Sequence, residues 1–76
     1  MNDWLIEIKN IAGGKISGKI IVAALDLHVA KQKAMQECRK YLSGRRNLYL
    51  EAKGNGVYKI VSDLEDVGEI VIRRLD

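Results

Sequence analysis

The residues able to do chemistry are few and scattered. His28 is the single histidine, and no cysteine or second histidine lies near it at metal-ligand spacing. No serine or cysteine stands beside it as a nucleophile candidate, so an ordinary exposed side chain is expected. Cys38, the single cysteine, falls on the apolar stripe of a helix, where cysteine serves as a small core hydrophobe rather than a reactive thiol. Asp63, Glu65, Asp66 and Glu69 gather after a strand. Grouped carboxylates can hold Mg²⁺ or exchange protons. Their spacing matches no calcium loop, and a solvated turn is expected. Glycines at 13, 14, 18, 54 and 56 form no G-x-x-x-x-G-K-[ST] phosphate loop. No catalytic residue, metal site or cofactor is expected, and the chain is expected to be no enzyme.

The basic residues are the strongest functional signal. Lys31, Lys33, Arg39 and Lys40 lie off the helix stripe with only Glu37 opposing them, and Arg45 and Arg46 follow directly. These six are the candidate binding residues. Such a surface can contact phosphates or an acidic protein face, and the same pattern also suits a helix side chosen for solubility. Lys31 and Lys40 point to different sides of the helix, so the six charges do not form one patch. Lys9, Lys15 and Lys19 add positive charge around the first hairpin. Tyr49 and Tyr58 could stack bases, but no RNP-type run surrounds them.

These charges must be carried by strands and one helix. Trp4 to Asn10 alternates, with Trp4, Ile6 and Ile8 on one face and Leu5, Glu7 and Lys9 on the other. Gly13-Gly14 marks a turn, and Lys15 to Ala23 alternates again, which predicts an antiparallel hairpin. Asp26 is a suitable N-cap for a helix with Leu27, Ala30, Ala34, Cys38 and Tyr41 on its buried stripe and Leu42 at its edge. Gly44 is placed to end it in the left-handed conformation. Asn47 to Lys53 and Gly56 to Ser62 predict a second hairpin around Gly54-Asn55-Gly56, Ser62 to Gly68 a polar turn, and Glu69 to Leu75 a last strand. The expected architecture is α+β: an antiparallel sheet of about five strands, ββαβββ, packed on one helix.

A chain of 76 residues makes one domain, residues 1–76, that buries only about 60% of its unfolded surface. Its apolar fraction of 47% is ordinary for a globular domain. The longest apolar run, Ile20 to Leu25, is far short of a membrane span, and a lone cysteine fits a reducing compartment; a cytoplasmic location is expected. A net charge of +3 permits a nucleic-acid partner without requiring one. One helix covers one sheet face, so Leu5, Ile21, Tyr49, Val61 and Val71 are expected on the other. Strong sheet curling would hide them, and contact with a second copy or another molecule would use them.

The pattern resembles a family of small phage-encoded anti-CRISPR proteins, the ninth family of type I-F inhibitors. The matching segments are WLIEIKNI at Trp4 to Ile11, IVAALDLHVAKQKAMQEC at Ile21 to Cys38, and Asn55-Gly56 before Val57-Tyr58. The resemblance spans most of the chain. It implies a non-enzymatic inhibitor that docks on a crRNA-bound surveillance complex, blocks target-DNA hybridisation and promotes sequence-independent duplex binding. Lys31, after Ala30, matches the family's A-K pair; Gln32 stands where the family has a basic residue, and Gln36 is also uncharged. Two other expectations stand beside it: a small nucleic-acid-binding accessory protein, or a structural or oligomerising phage module that uses the uncovered sheet face, for which a homodimer is one form.

Overall fold

In the computed structural model, residues 1–11, 14 and 16–75 are described; Gly13 of the expected first turn and Lys15 of the basic set lie outside them. The chain forms β1 (Asn2–Ile11), β2 (Ile16–Ala24), α1 (Leu27–Arg39), β3 (Tyr49–Gly54), β4 (Val57–Ser62) and β5 (Glu65–Leu75), an α+β fold. All pairings are antiparallel, in the order β2-β1-β5-β4-β3. The last strand thus enters the centre of the sheet, between β1 and β4.

The alternation in β1 sends Trp4, Ile6 and Ile8 into the core with Ile60, Ile70 and Ile72. The Trp4 indole N–H donates to the Ala24 carbonyl at 3.1 Å, so this large ring is buried with its polar atom satisfied. Asp26 caps α1 by accepting from the Val29 amide at 3.0 Å. The helix lies over β2, β1 and β5.

The buried stripe of α1 is Ala30, Ala34, Met35 and Cys38, continued by Leu42. It is rotated from the expected one: Leu27 and Tyr41 are 42% and 44% exposed. For Tyr41 the cause lies at the helix end. After Arg39 the Tyr41 and Leu42 amides both donate to the Cys38 carbonyl, at 3.0 and 3.1 Å. That tightened turn swings Leu42 into the core and Tyr41 out. Ala30 and Ala34 are fully buried, so the helix axis rides close to the sheet. Ala34→Leu is expected to overpack this contact and cost about 1–3 kcal/mol. An unchanged denaturation midpoint would show that α1 docks by another face.

The turn between β4 and β5 is shorter than the sequence suggests. Asp63 and Leu64 alone make it, with φ of 48° and 68°, and β5 starts at Glu65. Both residues left-handed is the geometry that a two-residue hairpin turn requires. A bulge at Val67 follows, since Ile60 faces Gly68 while Val61 faces Asp66. The Gly68 amide donates to the Asp66 carboxylate at 3.3 Å, and Lys59 binds the same carboxylate at 2.6 Å. Leu64 is 90% exposed in a conformation that glycine or asparagine adopts more easily. Leu64→Gly removes that strain and loses no buried surface, so stability should rise by up to about 1 kcal/mol. A lower midpoint in urea would show that the leucine is held by contacts.

The face opposite α1 is largely charged. In register across four strands stand Lys9, Glu69, Lys59 and Glu51, alternating in sign. Glu7 accepts from Arg73 at 2.7 Å and lies 3.8 Å from Lys9. Of the apolar residues expected there, Ile21 and Tyr49 are exposed, Leu5 and Val71 are half-buried, and Val61 is buried. Charged side chains thus stand among the apolar residues of this face, with Arg73–Glu7 and Lys59–Asp66 pairing across strands.

Candidate binding surface on the helix flank

The six candidate cations separate into distinct environments. Lys31 and Lys33 leave α1 on opposite sides. Lys33 Nζ donates to the Ala23 carbonyl of β2. Lys31 Nζ sits over the Tyr58 ring of β4, 5.1 Å from its centroid. Lys40 is paired with Glu37 at 2.9 Å, which raises the lysine pKa, first through the hydrogen bond and then through charge. Arg45 pairs with Glu65 at 3.2 Å. The side chains of Arg39 and Arg46 are exposed, and among the described residues neither meets a carboxylate.

The loop after α1 is tied to the β4–β5 hairpin, and this places Arg46. The Ser62 hydroxyl donates to the Arg46 carbonyl at 2.7 Å. The Asn47 amide group donates to the Asp63 carboxylate. Asn47 itself takes a left-handed φ of 54°.

On the side of α1 that faces β3 lies a groove. Two openings of about 260 and 400 Å³ adjoin there at Gln32 and Met35, and the first reaches Leu50 of β3. His28, Lys31, Gln32, Met35 and Leu50 line the first; Gln32, Met35, Gln36 and Arg39 line the second. Met35 and Leu50 make an apolar floor, two glutamine amides stand on the rim, and Lys31 and Arg39 supply positive charge. Sequence reasoning found the two cations and missed the floor. The helical spacing of residues 28, 32, 35, 36 and 39 was the available signal.

The residues considered for catalysis are otherwise engaged. His28 Nε2 lies 3.4 Å from the Gln32 side-chain amide. Burial, and then the Glu37 charge, push the Cys38 thiol up to about 11, so it stays protonated at neutral pH. The expected acidic cluster is dispersed among partners: Asp63 with Asn47, Glu65 with Arg45, Asp66 with Lys59. The hydrogen bond from Lys59 holds the Asp66 carboxyl below the usual carboxylate range. Among the described residues no three His, Cys, Asp or Glu side chains gather where a metal ion could sit. Tyr58 is unavailable for base stacking, because its ring is buried and Lys31 covers it. Among the described residues no helix is long and apolar enough to cross a membrane. Comparison of the chain with protein-family models, with curated proteins and with solved structures gave no match.

Proposed function

We propose that this protein acts by binding and not by catalysis, docking the β3-facing flank of α1 on an anionic surface. In the reading that the family resemblance implies, that surface belongs to a nucleic-acid-guided surveillance complex of the host cytoplasm, and the bound protein blocks target DNA. One observation carries the proposal: Lys31 and Arg39 line adjoining openings on one flank of α1, and among the described residues neither pairs with a carboxylate. They are eight residues apart, about 12 Å along the helix. The ring under Lys31 has no net charge, so the cation–π contact holds the ammonium in place without neutralising it. Lys40 and Arg45, in contrast, are half-spent on Glu37 and Glu65. Lys33 serves the fold by tying α1 to β2. Arg46 is a further exposed cation, in the loop after the helix.

The test is inhibition. A crRNA-loaded type I-F complex is mixed with the protein, and binding of labelled target duplex is followed. The proposal expects loss of duplex binding with wild-type protein and its recovery with Lys31→Glu/Arg39→Glu. Undisturbed duplex binding at saturating wild-type protein would remove the surveillance-complex reading.

A further inference from the structure

We propose that the free edge of β2 pairs with β2 of a second copy, joining two sheets into one of ten strands. The sheet ends at β2 on one side and at β3 on the other. The two edges differ in length and charge. β3 has six residues and carries Glu51 and Lys53, paired to each other at 3.0 Å. β2 has nine residues, ISGKIIVAA, with Lys19 as its one charge. Natural sheets blunt exposed edges with charge, proline or short strands. β2 uses one lysine. Ile21, 65% exposed, lies on the face away from α1, in register with Leu5 of β1.

A two-fold axis through an antiparallel pair fixes which residues meet. Centred on Ile21, it sets Ile21 beside Ile21 of the second copy, and Ile20 beside Val22. One apolar row then runs Leu5, Ile21, Ile21, Leu5 across four strands. The same register sets Lys19 of one copy beside Ala23 of the other. Ala23 is in register with Asp3, so the lysine faces a carboxylate across a small side chain. Two strand spacings, about 10 Å, separate their backbones, a gap that an extended lysine and an aspartate span. Centres one residue away lose this match: they set Lys19 against Ile21 or against Leu25. The Ala23 carbonyl already accepts from Lys33, and its second lone pair remains for a strand partner. The edge is smaller than a standard interface of about 800 Å² per partner, so association in the micromolar range is expected.

Sedimentation equilibrium from about 5 to 500 μM spans that range. The expected result is a mass that rises from 8.5 kDa toward twice that value. The amides of β2 should gain hydrogen-exchange protection as concentration rises. Ile21→Lys, a change at an exposed site, should leave the melting curve in place and hold the protein monomeric. Lys19→Glu should weaken association about tenfold or more, by placing like charges together, and Asp3→Lys added to it should restore pairing. A single 8.5 kDa species at the highest concentration would overturn the proposal. A dimer that ignores Ile21→Lys, with β2 amides unprotected, would overturn it equally. The helix flank that carries the proposed function is on the β3 side, so its variants test a separate surface.

Discussion

Gly56→Ala should destabilise the protein by about 3 kcal/mol or more, the largest effect expected of any single methyl group here. Asn55 and Gly56 form the turn between β3 and β4 with φ of 55° and 78°. A Cβ at Gly56 would lie 2.5 Å from the Ile72 carbonyl oxygen, which is backbone and cannot rotate away. The same turn is anchored to β5 by the Ile72 amide, which donates to the Gly56 carbonyl at 2.8 Å. Moving the turn to relieve the clash therefore breaks a hydrogen bond as well. Gly54 supplies the control. Its φ is 93°, but a Cβ there meets nothing within 4 Å, so Gly54→Ala should cost only the conformational strain, about 1 kcal/mol. For a domain of this size the two changes correspond to melting-point losses on the order of 12–24 °C and 4–8 °C. Equal losses in a thermal scan would contradict the close packing of the turn on β5.

The second large effect concerns binding. If the β3-facing flank of α1 meets phosphates, affinity for duplex DNA should fall as salt rises, with a log–log slope near −0.9 for each phosphate neutralised. Lys31→Glu/Arg39→Glu should flatten that slope by about two and weaken binding similarly for unrelated sequences, because phosphate contacts carry no base information. Lys40→Gln should change little, since Glu37 already offsets Lys40 at 2.9 Å. Filter binding or fluorescence anisotropy at four salt concentrations reads both quantities. If the target is an acidic protein groove instead, DNA binding is weak from the start and the same reversals abolish capture of the surveillance complex. Neither residue belongs to the buried stripe of Ala30, Ala34, Met35 and Cys38, so the fold should survive the double change.

Much of the fold was legible in the chain because local signals agree there. Alternation in Trp4, Ile6 and Ile8, the Asp26 cap and the Asn55-Gly56 turn each depend on neighbours in sequence, and each is found in place. The β4–β5 turn was not legible. Asp63-Leu64 adopts a glycine-type geometry without glycine, and the bulge at Val67 breaks the alternation that would have announced β5 early. The C-terminal end of the α1 stripe was misphased because the tightened turn after Arg39, which decides between Tyr41 and Leu42, has no sequence signature of its own.

The candidate surface was legible as charge and not as geometry. The run from Lys31 to Arg46 shows six cations in the sequence. Which of them keep their charge for a partner depends on residues distant in the chain. Glu65 reaches Arg45, Tyr58 lies under Lys31, and the Ala23 carbonyl takes Lys33. The apolar floor under the groove depends in the same way on Leu50, which arrives from β3. Lys19, Lys33 and Ile21 show the reverse case, in which charges and apolar residues scattered along the chain meet at one sheet edge.

The most direct test of the flank as the working surface is an amide chemical-shift titration with a short DNA duplex at low salt. The account predicts that the perturbed amides follow the groove: His28, Lys31, Gln32, Gln36 and Arg39 on α1, with Arg46 beyond it and Leu50 on β3. Perturbations confined to the charged sheet face around Lys9, Lys59 and Glu69, or none at all at duplex concentrations of about 1 mM, would contradict it.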